Sequence, residues 1–104
     1  MPDPATARAA PPAIGPVERA IRERLAADLA PTALEVVNES ALHAGHRGDD
    51  GSGESHFRVV VEAPAFAGLS RVARQRLVNR ALAELLDGRI HALAIRARAP
   101  GEPA

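Results

Sequence analysis

The sequence holds 104 residues, enough for one domain, and no cysteine, which excludes disulfides, thiolate nucleophiles and metal sites built from its own thiolates. Its 13 basic and 13 acidic residues give a net charge of zero, so no overall field draws it to nucleic acid or to a membrane. No apolar run approaches the roughly 20 residues that cross a bilayer, and no secretory segment is present. We therefore expect a cytoplasmic protein.

The first predicted element is a helix that follows a proline-rich start. Residues 1–14 carry four of the nine prolines, which predicts a disordered tail. Gly15 and Pro16 are a suitable helix start because proline is tolerated in the first turn, and Pro31 ends the helix. The apolar residues at helical spacing predict its buried face: Val17, Ile21, Leu25 and Leu29.

Two strands separated by a polar loop come next. Residues 34–38 are predicted to form a short strand. Residues 40–54 hold four glycines and two aspartates, which predicts a long loop. Residues 56–62 alternate between apolar and polar and are the clearest strand, so His56 is expected to point away from the core. The inward positions of this strand are Phe57, Val59 and Val61.

A second helix and a last strand complete the domain. Ser70 is predicted to cap the helix and Gly88 to close it. Its predicted buried stripe consists of Val78, Ala81, Leu82 and Leu85. The last strand is predicted over residues 90–98, and residues 100–104 form a second predicted tail. One domain over residues 15–99 remains.

The predicted order is therefore helix, strand, strand, helix, strand. Because a helix joins the second strand to the third, these two strands should be parallel and connected by a right-handed crossover. Two helices would then cover one face of a three-stranded mixed sheet. The fold class is a small α/β (α+β) domain.

This order of elements, with these residues, resembles the BolA family. The matching segments run in unbroken order over about residues 15–100: LEV at 34–36, NES at 38–40, GESHF at 53–57, FAG at 66–68, RQRLVN at 74–79 and IHAL at 90–93. Gln75 departs from the family, in which histidine is common at this position. The resemblance implies a fold like that of the class II KH domain.

The resemblance also implies a metal centre that is shared with another protein. Members of the family form a heterodimer with a monothiol glutaredoxin, bridged by a 2Fe–2S cluster whose sulfur ligands come from the glutaredoxin and its bound glutathione. By position, this chain would contribute His91 and His43, with His46 as the alternative loop ligand. Alone, the chain is expected to be a monomer without a cluster. The implied role is iron–sulfur trafficking, maturation of cluster proteins or iron-linked regulation.

The residues themselves leave other interpretations of the histidines open. His91 shares a predicted strand face with Leu93 and Ile95, so it fits a structural histidine at a sheet rim as well as a metal ligand. His43 and His46 fit two solvated loop histidines equally well. No GxSxG, HExxH or phosphate-binding glycine motif is present, so we do not expect an enzyme.

Four arginines mark the second helix as a candidate surface for nucleic acid or another partner. They are Arg71, Arg74, Arg76 and Arg80. Arg71 and Arg74 lie in the first predicted turn, where the helix dipole disfavours cations, and this indicates an anionic partner. A solvated helix face is the alternative, and no KH-type GxxG phosphate clamp is present. The second functional hypothesis is a DNA-binding transcriptional regulator that uses the helix over residues 71–87.

Overall fold

The computed structural model describes residues 14–40 and 53–102, and these confirm the predicted order of elements. In chain order the elements are α1 (Pro16–Leu29), β1 (Ala33–Asn38), β2 (His56–Glu62), a 3₁₀ turn (Pro64–Phe66), α2 (Arg71–Ala81), α3 (Ala83–Leu86) and β3 (Ala92–Arg98). Within the described part of the chain, no helix is long and apolar enough to cross a membrane.

The three strands form the predicted mixed sheet, in the order β1-β2-β3. β1 pairs antiparallel with β2, and Val36 lies opposite Val59. β2 pairs parallel with β3, and Val59 lies beside Ile95. Since α2 and α3 connect these strands, the predicted parallel pairing with a helical connection is confirmed.

The core lies between one face of the sheet and the helices. Both predicted helical stripes are buried, which confirms them: Val17, Ile21, Leu25 and Leu29 from α1, and Val78, Ala81, Leu82 and Leu85 from the later helices. The sheet contributes the inward positions of β2, and both phenylalanines lie inside, Phe57 at 1% and Phe66 at 0% exposure. Local periodicity therefore identified the buried faces, because residues one helical turn or two strand positions apart share a face.

The second helix differs from its prediction in one respect. The sequence predicts one helix between Ser70 and Gly88, whereas the structure holds two, separated by Leu82, whose φ of −106° and ψ of 12° leave the helical region. The Ser70 hydroxyl accepts a hydrogen bond from the Ala73 amide at 3.1 Å, as a helix cap does. Gly88 has a φ of +148°, which favours glycine at the end of this segment.

The chain end after β3 also differs from its prediction. Residues 100–102, which the sequence places in a disordered tail, form a turn in which the Glu102 amide donates to the Ala99 carbonyl at 3.1 Å. Gly101 takes a φ of +87° there. The predicted tails at residues 1–13 and 103–104, and most of the predicted loop, lie outside the described residues.

Candidate functional site

His91 lies at the edge of the sheet, one residue before β3 begins. The sequence places it inside the last strand beside Leu93, but the strand begins at Ala92, and the His91 side chain is exposed. Its amide donates to the Ser55 carbonyl at 2.8 Å, and the Ala92 amide contacts the same oxygen at 3.3 Å. The backbone of His91 is thus held in place while its imidazole remains accessible, which does not fit a core histidine.

The two ends of the predicted polar loop meet next to this point. The buried Ser40 hydroxyl accepts hydrogen bonds from the Ser55 amide at 2.8 Å and the His56 amide at 3.1 Å. The Asn38 side chain donates to the Gly53 carbonyl at 2.7 Å. These contacts join the beginning and the end of the loop, and through Ser55 they join both to His91. The predicted ligands His43 and His46 lie outside the described residues.

His56 is buried, although the alternation of its strand places it on the face that points away from the core. Its exposure is 7%, and its Nδ1 lies 2.7 Å from the hydroxyl of Ser55, which is fully buried. The burial arises because His56 is the first residue of its strand, where the chain packs against Ser40 as it enters the sheet. His56 therefore belongs to the polar network that closes the loop.

Glu54 connects the end of the loop to the start of α1. Its carboxylate accepts hydrogen bonds from the Val17 amide at 3.3 Å and the Glu18 amide at 3.0 Å. A negative charge at this position stabilises a helix start, and the N-cap residue, Gly15, has no side chain to do so. A Cβ atom on Gly15 would lie 2.3 Å from the Glu54 carboxyl group, so glycine allows the close approach. This contact was not predicted from the sequence, since 37 positions separate Glu54 from Val17.

Arg74 is engaged inside the protein, so the structure does not support its assignment to a partner-binding surface. Its guanidinium donates to both carboxylate oxygens of Glu102, at 2.5 and 2.8 Å, and its Nε donates to the Leu69 carbonyl at 3.0 Å. Hydrogen bonds from Arg74 and from the Ala99 amide lower the pKa of Glu102 to about 2. Arg74 therefore binds the chain end to α2.

The other three predicted arginines do not form one surface. Arg71, Arg76 and Arg80 are all exposed. At 100° per residue, Arg76 and Arg80 are rotated by about 140° and about 180° from Arg71 around the helix axis. Arg71 instead borders a groove that also contains Arg96 and Arg98 of β3, and the pair of Arg74 and Glu102 lines its adjoining part. Arg96 and Arg98 were not predicted from the sequence, because only the sheet register brings β3 beside the start of α2.

The described residues do not assemble a metal site of their own. Within residues 14–40 and 53–102, no three side chains among histidine, aspartate and glutamate gather in a way that could hold a metal ion. Of the predicted metal ligands, His91 is the one that lies in the described part of the chain.

The sequence and the fold both match BolA-like proteins. The family model described as BolA-like protein matches residues 25–102. BolA-like protein 1 of Homo sapiens is 53% identical over 90 residues, which cover 86% of this chain but only 63% of that protein. The DNA-binding transcriptional regulator BolA of Vibrio cholerae is 47% identical over 79 residues, covering 76% of this chain and 71% of that protein. The structure of the BolA domain of SufE1 from Arabidopsis thaliana has a TM-score of 0.78 and 40% identity, covering 88% of this chain and 100% of that one.

Proposed function

This chain belongs to the BolA-like family, and on that premise we propose that it binds a monothiol glutaredoxin and shares a 2Fe–2S cluster with it. Its role would be iron–sulfur trafficking, maturation of cluster proteins or iron-linked regulation. The observation that supports this most directly is the geometry of His91, whose imidazole is exposed while its backbone is held by Ser55. The ring is therefore exposed to a partner from a fixed position of the backbone.

The donor groups of this chain fit a shared cluster and not a cluster of its own. The chain has no cysteine, so every thiolate ligand must come from the glutaredoxin and glutathione. A neutral imidazole such as that of His91 can complete the ligand set. When bound, a cluster with histidine in place of thiolate has a higher reduction potential.

The proposed second ligand is His43, with His46 as the alternative. Both residues lie outside the described part of the chain. In the sequence, His43 follows Ser40 by three residues. Ser40 is itself joined by a hydrogen bond to Ser55, which holds His91.

The test is the rate at which a chelator removes the cluster from the mixed complex, for wild type, His91→Ala and His43→Ala. We expect His91→Ala to accelerate release of the cluster more than His43→Ala does, because the backbone of His91 is already ordered. Each residue that must be ordered on binding costs about 1–2 kcal/mol, which weakens a ligand on a glycine-rich loop.

The far-ultraviolet circular dichroism of the free His91→Ala variant serves as the control for folding, which should be unchanged because the side chain is exposed. Equal release rates for wild type and His91→Ala would remove His91 from the site, and with it the main support for this function.

A second candidate function is DNA-binding transcriptional regulation. It is favoured by the similarity to the Vibrio cholerae protein of that name and by the exposed Arg71, which borders a groove with Arg96 and Arg98. Co-expression with a glutaredoxin separates the two functions: visible cluster absorbance supports the first. Retention on DNA that falls steeply with salt supports the second.

A further inference from the structure

We propose that the sheet face opposite the helices binds the same face of a second copy of this chain, forming a symmetric dimer. This open face consists of three rows of side chains that the strand register sets across β1, β2 and β3: Ala33, Glu62 and Arg98; Glu35, Val60 and Arg96; and Val37, Arg58 and Ala94. Such a dimer requires neither the cluster nor DNA, and His91 lies outside the three rows.

The open face is not covered by the helices that the structure describes. Those helices pack their apolar stripes against the other side of the sheet, which carries the buried Val36, Val59 and Val61. Because successive strand residues point to opposite sides, the three rows face away from this core. Small and apolar side chains remain accessible between the charges of the open face: Ala33, Val37 and Ala94 are exposed, and Val60 is half-buried.

The charges of the first and third rows are already paired within the chain. Arg98 lies 3.0 Å from a carboxylate oxygen of Glu62, and the other oxygen accepts a hydrogen bond from the Thr32 hydroxyl at 2.7 Å. Arg58 lies 2.6 Å from a carboxylate oxygen of Glu39. These two rows therefore bring no unbalanced charge to a partner.

The middle row holds one acidic and one basic side chain that are not paired in this way. Glu35 and Arg96 are exposed, and neither forms an ion pair or a side-chain hydrogen bond with any residue that the structure describes. Val60 lies between them, and adjacent strands are about 4.8 Å apart, so their Cα atoms are separated by about 10 Å. The row is thus negative on the β1 side, apolar at its centre and positive on the β3 side.

A two-fold axis parallel to the strands makes this row complementary to itself. When two open faces stack about such an axis, β1 of one copy lies over β3 of the other, and β2 lies over β2. Each Glu35 then meets the Arg96 of the other copy, and the two Val60 side chains meet at the centre. A partner of one charge sign would match only one side of the row, whereas a second copy supplies both signs at the matching spacing.

The other symmetric arrangement brings like charges together. A two-fold axis perpendicular to the strands places β1 over β1 and β3 over β3. Each Glu35 would then meet the Glu35 of the other copy, and each Arg96 would meet its counterpart. Because like charges in contact are unfavourable, the middle row selects the axis that runs parallel to the strands.

The size of the open face indicates a weak dimer. Three strands of six or seven residues form a face of about 14 by 23 Å, roughly 300 Å². Stable interfaces bury about 800 Å² per partner. The monomer expected from the sequence therefore prevails in dilute solution, and the dimer forms as the concentration rises.

The experiment measures the average mass of the full chain by sedimentation equilibrium, from about 10 μM to about 1 mM protein. Glu35→Arg and Arg96→Glu each place like charges opposite one another across the proposed interface. The double variant Glu35→Arg/Arg96→Glu exchanges the two charges and restores their pairing. The matched controls are Glu23→Arg and Arg80→Glu, which change the net charge equally at exposed positions of α1 and α2.

We expect the mass of wild type and of the double variant to rise towards that of two chains. Each single variant of the open face should raise the dissociation constant of the dimer at least about tenfold, and each control should stay within about twofold of wild type. Because surface charges are screened by salt, the wild-type dissociation constant should also rise with ionic strength. Far-ultraviolet circular dichroism should be unchanged in every variant, since the substituted side chains are exposed.

Three results would overturn the dimer. One is a wild-type mass that stays at that of a single chain up to about 1 mM. Another is dimerisation of Glu35→Arg and Arg96→Glu as strong as that of wild type, because the dimer would then use a different surface. The third is a folded double variant that dimerises as weakly as the single variants, because Glu35 would then not meet Arg96.

Discussion

At the scale of single residues, the pair Arg74 and Glu102 shows how a charge predicted to bind a partner is used inside the fold. Arg74 donates to both oxygens of the Glu102 carboxylate and also to the Leu69 carbonyl. Glu102 accepts a further hydrogen bond from the Ala99 amide at 2.8 Å. The pair therefore attaches the turn after β3 to the start of α2.

The first prediction concerns the pH dependence of this pair. The pKa of Glu102 is lowered from 4.5 to about 2 by its hydrogen bond from Arg74, so the folded state favours the ionised form. The stabilisation is thus complete above about pH 4.5 and is lost as the pH falls towards 2. We expect the melting temperature of wild type to exceed that of Glu102→Gln at pH 7 and the difference to shrink between pH 4.5 and pH 2.

Glu84→Gln is the control for this measurement. Glu84 is 78% exposed in its ion pair with Arg24, and such surface pairs contribute little to the stability of the fold. If the melting temperatures of wild type and Glu102→Gln changed with pH in the same way over the whole range, the ionised pair between Arg74 and Glu102 would not stabilise the fold.

At the scale of elements, the start of α1 depends on a carboxylate from a distant part of the chain. Gly15 has φ −69° and ψ 166°, a conformation that alanine also adopts, so the backbone does not require glycine here. The space beside Gly15 holds the carboxylate of Glu54, which accepts hydrogen bonds from the first amides of α1. Helix start and loop end are therefore coupled.

We predict that Gly15→Ala destabilises the wild-type protein by about 1 kcal/mol, because the added methyl group displaces the Glu54 carboxylate from the helix start. In a Glu54→Ala background the same substitution should cost less, since nothing then meets the methyl group and only the lower preference of a helix start for alanine remains. Urea unfolding of the four proteins in a double-mutant cycle measures the coupling. The same loss in both backgrounds would show that the two residues act independently.

At the scale of the whole molecule, one core joins the helices to the sheet. α1 and the later helices bury their stripes against the same sheet face, and Leu82, between α2 and α3, is fully buried. Leu82 is therefore part of the core although its backbone has left the helix. A single core of this size should unfold in one cooperative step.

We predict that Leu82→Ala lowers the free energy of unfolding by about 2–5 kcal/mol, because it leaves a cavity in the core. Val72→Ala, at the second residue of α2 and 57% exposed, should change it by less than about 0.5 kcal/mol. Both variants should keep a single urea transition with the slope of wild type. A second transition in Leu82→Ala would mean that the helices and the sheet unfold separately.

The sequence by itself determined which side chains are buried and how the elements are ordered. The spacing of Val17, Ile21 and Leu25 and the alternation around Val59 are local patterns, and local periodicity sets which residues share a face. The same patterns did not predict burial at the ends of elements, as His56 shows, because contacts with other parts of the chain decide burial there.

Only the tertiary structure decided which charges meet. The pairing of Glu54 with α1, of Arg74 with Glu102, and the shared groove of Arg71 and Arg96 each join residues more than 20 positions apart. No local period relates such residues, since their proximity follows from the sheet register and the crossover of α2. For that reason the motif around His91 could be identified from the sequence, whereas the partners of the arginines could not.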